Sequence, residues 1–282
     1  MNKNKKILIT GGSGFVGTNL IETLNNAKKY EIKIFSRKNI PDGKFIIGDL
    51  KYFDSINSAL KKEDIIIHLA NSKNYPENVE IMKNLVKAAK EKRIKKIIFI
   101  SSMSAKRKYP DDYGKSKIRS ERILRESGIN YTILRPSIIY GKGSTGFNFL
   151  IERTKKIPFF TPIIGNGKYR IAPVYIGDVI ESIEDTIENE KTNGKEYDIV
   201  GGEDIFFVDL INVLKKETGD KKINIHIPLW ICNMIAICLP KVISKNNIRN
   251  LTEDSYADIK DAKKDFDYNP IKFEDGIKNG IL

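Results

Sequence analysis

The sequence predicts an α/β protein built on a doubly wound parallel sheet, with a smaller C-terminal lobe. Short apolar runs alternate with runs of helical period over the first half of the 282 residues, and the connections between them are short. A glycine-rich turn joins the first apolar run to the first amphipathic run. We therefore expect residues 1–143 to form the sheet domain and residues 144–282 the lobe, with some segments of the lobe returning to the main sheet.

The apolar runs predict strands at residues 7–10, 32–35, 45–50, 64–70, 96–100, 131–134 and 197–200. Apolar residues at helical spacing predict helices at residues 16–24, 54–62, 78–93, 112–124 and 207–218. The most apolar run, residues 227–240, is too short to cross a bilayer, which needs about 20 residues. We expect a buried helix there, with a dimer contact or a membrane-surface contact through Trp230 as the alternative.

The turn after the first strand carries three glycines, Gly11, Gly14 and Gly17. Gly11 permits a tight turn, Gly14 lets the backbone approach a diphosphate, and Gly17 lets the helix pack closely on the strand. The start of that helix, at Phe15 and Val16, offers unpaired N–H groups and a positive dipole end. The turn indicates a Rossmann-type NAD(P)-binding domain, although its spacing differs from G-x-G-x-x-G in the first interval, and an ordinary turn is the alternative.

The end of the second predicted strand indicates which dinucleotide is bound. Arg37 stands where an NAD-binding domain has an acidic residue for the ribose 2′-hydroxyl, and an arginine there suits a 2′-phosphate. We therefore expect NADP(H) rather than NAD(H), unless Arg37 is an exposed loop charge. Asp49, at the end of the third strand, is a candidate partner of the adenine edge, with a turn or helix cap as the alternative.

The predicted chemical centre lies on the helix after the fifth strand. Tyr113 and Lys117 are four residues apart and so lie on one face of that helix. A protonated lysine beside a phenol favours the phenolate, so we expect Lys117 to lower the pKa of Tyr113 and make it a general acid/base. Ser102, at the carboxyl end of the fifth strand, would orient the same substrate oxygen. The alternative is a chance pairing on a surface helix.

These motifs together resemble the extended and atypical short-chain dehydrogenase/reductases, the NAD-dependent epimerase/dehydratase family. The similar segments are residues 10–17 (TGGSGFVG), 48–50 (GDL), 68–70 (HLA), 100–102 (ISS), 113–117 (YGKSK) with Glu121, 134–136 (LRP) and 140–141 (YG). The resemblance implies a catalytic triad of Ser102, Tyr113 and Lys117, with Ser101 as the alternative serine and Lys117 also holding the nicotinamide ribose. It further implies cofactor contacts at Asp49, Leu50, Leu69 and Ala70.

One further segment points to the substrate. Residues 165–179 (GNGKYRIAPVYIGDV) are similar to a stretch of sugar-nucleotide enzymes in which an arginine grips the substrate diphosphate. Arg170 occupies that place, and a guanidinium offers bidentate donors that fit a phosphate. The alternative is that Arg170 caps the turn or pairs with a surface acid.

We therefore expect an NAD(P)-dependent epimerase/dehydratase or keto-reductase that acts on a nucleotide-linked sugar. Short connections before Asn78 and before Tyr113 favour an alternative, a non-catalytic NADP(H)-binding assembly or sensor protein resembling the accessory subunit of respiratory complex I. Reduction of a small non-sugar carbonyl is a third interpretation, because it uses the same triad.

Composition limits the other classes. The net charge is +13, but the lysines are spread over most predicted helices, so we expect no nucleic-acid partner. His68 and His226 are the two histidines, and we expect no metal site. Cys232 and Cys238 are six residues apart in the apolar run, which predicts reduced thiols and a cytoplasmic protein. We expect no integral membrane segment, and the sequence leaves a homodimer open.

Overall fold

A computed structural model describes residues 5–38, 45–61, 65–144, 157–239 and 244–278. The strands are β1 (Lys6–Thr10), β2 (Glu31–Ser36), β3 (Phe45–Ile47), β4 (Ile65–His68), β5 (Lys96–Ile100), β6 (Asn130–Pro136), β7 (Ile139–Tyr140), β8 (Phe160–Ile164), β9 (Arg170–Ile171), β10 (Val174–Tyr175), β11 (Lys195–Ile199), β12 (Ile205–Phe206) and β13 (Ile223–Ile227). The α-helices are α1 (Phe15–Ala27), α2 (Phe53–Ala59), α3 (Tyr75–Glu91), α4 (Asp112–Arg125), α5 (Ile176–Ile187), α6 (Phe207–Thr218), α7 (Leu229–Cys238), α8 (Lys245–Thr252), α9 (Lys260–Phe266) and α10 (Phe273–Lys278).

Seven strands form one sheet in the order β11-β6-β5-β4-β1-β2-β3, and every neighbouring pair is parallel. Leu8 of β1 lies between Ile66 of β4 and Lys33 of β2. The strand order therefore reverses between β1 and β4, which is where doubly wound sheets bind ligands. The predicted fold class is confirmed.

The central strands explain why the sheet could be recognised from its apolar runs. Strands β4 and β5 are buried along their whole length, and β1 is buried from Ile7 onward. Helix α3 packs against both α2 and α4, and α1 packs against α5. Met82 and Leu85 of α3 lie in the same apolar cluster as Leu8 and Ile66. A parallel sheet covered by helices requires apolar side chains on both faces of its strands, so the runs are continuous rather than alternating.

The chain divides into two compact units. The first comprises Met1–Pro136, Ile176–Ile199 and Ile259–Asn269, and it contains the seven-stranded sheet. The second comprises Ser137–Tyr175, Val200–Asp258 and Pro270–Leu282. It contains three two-stranded pairs, β7 with β10, β8 with β13 and β9 with β12. Its core includes Tyr140, whose ring meets Phe273 edge-on at 5.1 Å between centroids.

The apolar run at residues 227–240 forms helix α7, but the prediction that this helix is buried is wrong. Only Cys232 and Ala236 are buried, in a small cluster with Ile248. Trp230 is 65% exposed and Ile237 is 63% exposed. A helix that is apolar on every side gives no sequence signal of which side has a partner, and here only one side has one.

Some predicted boundaries fall on residues that the structure does not describe. These are Lys62 and Asp64 around β4, Gly146 after the predicted domain boundary, and Pro240 at the end of the apolar run. Among the residues that are described, no helix combines the length and apolarity needed to cross a bilayer.

Candidate active site

A cavity of about 680 Å³ lies at the carboxyl ends of β1, β2 and β4 in the first unit. Its lining includes seven of the predicted cofactor residues, namely Gly11, Gly14, Arg37, Asp49, Leu50, Leu69 and Ala70. Phe15, Val16, Gly17 and Lys117 do not line it. The cavity thus lies at the reversal of strand order, the position expected for a dinucleotide.

The three glycines of the turn meet different physical requirements. Gly11 has φ +78°, and a Cβ there would lie 2.5 Å from the backbone nitrogen of Ala70. A Cβ at Gly17 would lie 2.4 Å from the carbonyl oxygen of Gly11. Gly14 has φ −83°, and a Cβ there would meet only that same oxygen, at 3.3 Å. Packing therefore requires Gly11 and Gly17, whereas Gly14 leaves backbone uncovered at the cavity, which fits a bound diphosphate.

Among the described residues, no side chain caps the N-terminus of α1. Gly14 is its N-cap residue and supplies no side-chain hydrogen bond, and the first turn contains no acidic residue. Phe15 and Val16 open the helix, so their N–H groups have no partner within it. Unpaired N–H groups and the positive end of the helix dipole attract an anion to this position.

The end of β2 brings positive charge to the cavity. Arg37 and Lys38 are exposed and line it, and Arg37 has no ion pair with any residue in the described parts of the chain. Lys51 also lines the cavity but is paired with Glu77, at 2.9 Å between its Nζ and the carboxylate. This ion pair leaves Arg37 and Lys38 to face an anionic ligand.

The loop after β3 is held in place by local hydrogen bonds. One carboxylate oxygen of Asp49 accepts from the backbone N–H of Lys51 at 3.0 Å, which is the turn contact expected as the alternative role of this residue. The Asn84 side chain donates to the carbonyl oxygens of Leu50 at 3.1 Å and Lys51 at 2.8 Å. These contacts fix the part of the cavity that Asp49 and Leu50 line.

The structure separates the two serines after β5. The buried Ser101 hydroxyl donates to Glu121 at 2.5 Å, whereas the Ser102 side chain acts on Tyr113 and lowers its pKa. Ser102 also accepts from the backbone N–H of Ser104 at 3.1 Å, which holds its oxygen at the start of the following 3₁₀ turn. Ser102, rather than Ser101, is therefore the serine whose side chain influences the tyrosine.

Lys117 lies one helical turn after Tyr113 on α4, and its ammonium faces aromatic rings. Its Nζ is 5.6 Å from the ring centroid of Tyr113 and 4.8 Å from that of Phe99. The same Nζ donates to the carbonyl oxygen of Ile100 at 3.0 Å. The helix starts at a fixed place because Asp111 caps it, accepting from an N–H in the first turn at 2.8 Å.

The pKa values of Tyr113 and Lys117 differ from those that the sequence led us to expect. Burial raises the pKa of Tyr113 to about 12, and the hydrogen bond from Ser102 only partly opposes this. Burial also lowers the pKa of Lys117 to about 8, against the attraction of Glu121. The expectation that Lys117 lowers the pKa of Tyr113 is wrong for this structure, because desolvation penalises both charged forms and the ammonium lies over the ring.

A model of the family described as NAD(P)H-binding matches residues 11–159, which is more than half of the chain. The chain belongs to the NAD(P)H-binding family. The matched residues contain the cavity, the glycine turn and helix α4. NAD(P) is therefore the cofactor class of this chain.

The similarity to relatives and to solved structures extends beyond residues 11–159. The UDP-glucose 4-epimerase of Vibrio cholerae is 26% identical to this chain, over 97% of the chain and 94% of its own length. The N-acetyl-alpha-D-glucosaminyl-diphospho-ditrans,octacis-undecaprenol 4-epimerase of Escherichia coli is 27% identical, over 80% and 76%. The UDP-glucose 4-epimerase of Thermotoga maritima, solved with UDP-glucose, has the same fold, with a TM-score of 0.78 and 21% identity over 97% of this chain and 96% of its own. The resemblance to NAD-dependent epimerase/dehydratases among the short-chain dehydrogenase/reductase enzymes is confirmed.

Arg170 lies in the second unit, on β9. Its guanidinium forms an ion pair with Asp204 and stacks over the ring of Tyr256, 4.9 Å from the centroid. Its side chain is 47% exposed. Arg170 thus forms a surface ion pair, which was the alternative role expected for this residue. Binding of a substrate phosphate by Arg170 stays a prediction.

His68, at the end of β4, is a buried structural residue. Its Nδ1 is 2.7 Å from the Thr10 hydroxyl, and its ring stacks on Phe99 at 5.5 Å between centroids. Burial, followed by the positive charge of Lys117, lowers the pKa of His68 to about 3. The imidazole is therefore neutral at physiological pH, as a core histidine is expected to be.

Sequence reasoning missed several polar residues that line the cavity. They are Ser13, Thr18, Ser36, Lys38, Lys51, Asn71, Ser72 and Glu77. Asn71 and Ser72 directly follow the predicted fourth strand, and polar residues at the carboxyl end of a parallel strand are a usable signal. Tyr75 was also missed, although its ring lies 5.5 Å from that of Tyr113. Tyr75 gave no such signal, because nothing local in the sequence places α3 beside α4.

Proposed function

We propose that this chain is an NAD(P)-dependent epimerase/dehydratase or keto-reductase that acts on a nucleotide-linked sugar through Ser102, Tyr113 and Lys117. The observation that carries the proposal is the position of the Lys117 Nζ, 5.6 Å from the centroid of the Tyr113 ring, with Ser102 near enough to lower the pKa of the same phenol. These groups lie after β5, at the same edge of the sheet as the cavity after the neighbouring β4.

The residues that would hold the cofactor follow from the cavity. The glycine turn and the first residues of α1 would hold the diphosphate, Asp49 and Leu50 the adenosine half, and Leu69 and Ala70 the segment between the two nucleotides. Lys117 would hold the nicotinamide ribose. When bound, NAD(P) supplies a hydride acceptor or donor for the sugar carbon.

Tyr113 would move the proton that accompanies hydride transfer. Because its pKa is about 12, the neutral phenol is the resting form and can donate a proton to a carbonyl oxygen. In the reverse direction Tyr113 must first lose its proton, and its phenolate oxygen then takes the proton of the sugar hydroxyl. The Ser102 hydroxyl, whose influence already lowers the pKa of Tyr113, would orient the same sugar oxygen.

Activity measurements test this assignment. Purified protein is incubated with NAD(P) and a panel of sugar nucleotides, and products are identified by NMR and mass spectrometry. We expect Tyr113→Phe to lower kcat about 10²- to 10⁴-fold while cofactor binding is retained. Tyr109→Phe, at an exposed tyrosine outside the cavity, is the matched control and should keep full activity.

Two other outcomes would replace the proposal. If the wild type binds NADP(H) tightly but turns over no sugar nucleotide and no small carbonyl, the non-catalytic assembly or sensor protein is the better description. Turnover of small carbonyls alone, lost in Tyr113→Phe, would instead support reduction of a non-sugar carbonyl by the same residues.

For the cofactor we propose a preference for NADP(H) over NAD(H). Arg37 lines the cavity, is exposed and has no acidic partner in the described parts of the chain, so it is free to bind a 2′-phosphate. We expect Arg37→Asp to lower the NADP-to-NAD affinity ratio about tenfold or more. Arg119→Asp makes the same charge change on α4, outside the cavity, and should leave the ratio unchanged. An unchanged ratio in Arg37→Asp would remove the preference.

For the substrate we propose a sugar carried on a diphosphate, with Arg170 as its phosphate contact. The two named relatives act on a UDP-linked sugar and on a diphospho-undecaprenol-linked sugar, so both substrates carry this group. Binding would require Arg170 to exchange its ion pair with Asp204 for the phosphate. We expect Arg170→Ala to raise KM for the sugar nucleotide without changing cofactor affinity, and an unchanged KM would contradict the contact.

We also propose that the protein works in the cytoplasm. Cys232 and Cys238 are both free thiols, which supports a reducing compartment. Localisation of the tagged full chain by cell fractionation tests this, and recovery outside the cytoplasm would contradict it.

A further inference from the structure

We infer that the outward face of helix α7, in the second unit, binds the surface of an anionic lipid bilayer. This inference does not depend on the proposed function, because it rests on residues outside the cavity and outside the Ser102, Tyr113 and Lys117 group. It accounts for the exposure of the most apolar helix in the chain.

The outward face is a continuous apolar stripe. Trp230, Met234 and Ile237 follow one another at helical spacings of four and three residues, and they are 65%, 55% and 63% exposed. The helix contains no charged side chain, and its inward side packs through Cys232 and Ala236. A contiguous exposed apolar surface of this kind marks an interaction site rather than ordinary protein surface.

Exposed apolar side chains also flank the helix in sequence. Leu239, directly after α7, is 56% exposed, and Ile225 of the preceding strand β13 is 40% exposed. The ten residues of α7 give a length of about 15 Å, half of what the hydrocarbon core of a bilayer requires. A helix of this length suits a position in the plane of a membrane surface, with tryptophan and aliphatic side chains turned into the lipid.

The charge of the chain segment that contains the stripe favours an anionic occupant. Between residues 221 and 252 the chain has five basic side chains and no acidic one. They are Lys221, Lys222, Lys241, Lys245 and Arg249. Lys222 pairs with Asp220, which lies just outside this segment. Helix α8 begins at Lys245 and packs against α7. Basic residues beside an apolar helix complement an anionic headgroup layer, each adding to the attraction.

The same charges argue against a second copy of the chain as the occupant. In a two-fold dimer each copy would present the same segment, so both sides of the interface would carry its net positive charge. Like charges placed opposite one another across an interface disfavour that pairing. An anionic bilayer offers both hydrocarbon and opposite charge.

Trp230 is the one tryptophan of the chain, so intrinsic fluorescence reports on this face alone. The full chain is mixed with vesicles of equal parts phosphatidylcholine and phosphatidylglycerol, or of phosphatidylcholine alone. We expect a blue shift of Trp230 emission, and quenching by brominated acyl chains, with the anionic vesicles. An unshifted spectrum with no quenching would overturn the inference. A blue shift that depends on protein concentration without lipid would overturn it in favour of a second copy.

Vesicle sedimentation with matched variants tests the residues. Ile237 and Ile47 are 63% and 66% exposed, but only Ile237 lies on the stripe. We expect Ile237→Gln to weaken binding to the anionic vesicles about tenfold, and Ile47→Gln to leave it unchanged. Lys245→Gln should weaken it about fivefold, with a smaller effect at high salt. Equal effects of Ile237→Gln and Ile47→Gln would overturn the inference.

The result is independent of catalysis. Ile237→Gln should keep wild-type activity on a water-soluble sugar nucleotide, and Tyr113→Phe should bind vesicles as the wild type does. Failure of vesicle binding with activity intact would overturn this inference alone, and the opposite pattern would overturn the proposed function alone.

Discussion

The two halves of the sheet's carboxyl edge are built in opposite ways. After β1, β2 and β4 the chain leaves a cavity lined by glycine backbone, with the charged side chains of Arg37 and Lys38 exposed. After β5 and on β6 the chain instead buries two ionisable groups, Glu121, which is 3% exposed, and Arg135, which is 8% exposed. The first half is arranged to leave backbone uncovered for a ligand. The second half is arranged to fix side chains before any ligand arrives.

Glu121 is the centre of the buried half. Its two carboxylate oxygens accept from Nε and Nη2 of Arg135, each at 2.8 Å, and one of them also accepts from Arg125 at 2.8 Å. The carboxylate further accepts from the Ser101 hydroxyl. Glu196 also pairs with both arginines. Ser101 is thus occupied in this network, and the pKa of Tyr113 is lowered by the next residue, Ser102.

The largest expected effect tests whether this buried network fixes the second half. Glu121→Gln removes a buried charge and leaves Arg135 partly uncompensated, so we expect the free energy of unfolding to fall by about 3 kcal/mol or more. Glu126→Gln breaks an exposed pair with Arg122 on the same helix and should cost less than about 1 kcal/mol. The free energies of unfolding of both variants would be measured by urea denaturation. Equal losses in the two variants would remove the contrast between the halves.

The second prediction concerns His68, which stands where the two halves meet. Its Nδ1 forms a hydrogen bond with the Thr10 hydroxyl of β1, and its ring stacks on Phe99 of β5. Its pKa is about 3 in the folded chain and about 6.5 when unfolded, so below pH 6.5 the unfolded chain binds a proton that the folded chain does not. The contribution of His68 to stability is therefore complete above pH 6.5 and declines as the pH falls towards 3.

We expect the wild type to lose about 1.4 kcal/mol more per pH unit between pH 6 and 4 than His68→Asn, because that variant lacks the titrating group. The difference in slope between the two proteins isolates His68 from the carboxyl groups that titrate over the same range. Parallel slopes in urea denaturation would mean that the imidazole takes up its proton inside the fold, and the boundary between the halves would be open to water.

The half of the sheet edge after β1, β2 and β4, here called the open half, could be predicted from the sequence because each of its features depends on neighbouring residues in the chain. The apolar strand, the three glycines and Arg37 all act through their own backbone conformation or their position at a strand end, and the cavity lies where they predict. Asn71 and Ser72 could have been added by the same rule.

The buried half could be read only in part. The spacing of Tyr113 and Lys117 placed them on one helical face, but their pKa values are set mainly by burial. Part of the surroundings of the ammonium, Phe99 and Ile100, comes from a different element. The prediction of an acidified phenol was wrong for this reason, since burial is set by non-local packing. Helix α7 was wrongly predicted to be buried for a related reason. Its apolar composition is visible in the sequence, but the full or partial exposure of all its residues except the buried Cys232 and Ala236 depends on non-local packing.

The smallest effect separates glycines that serve the fold from the one that serves the ligand. A Cβ at residue 17 would lie 2.4 Å from backbone, so Gly17→Ala should lower both stability and NAD(P) affinity. Residue 14 has an ordinary φ, and alanine there meets one atom at 3.3 Å, so Gly14→Ala should change stability by less than about 1 kcal/mol. We expect it nonetheless to weaken NAD(P) binding about tenfold in calorimetry, because its methyl group stands where a diphosphate approaches the backbone. Wild-type affinity in Gly14→Ala would mean that the open half holds its ligand through side chains such as Arg37, and the two halves would then differ only in exposure.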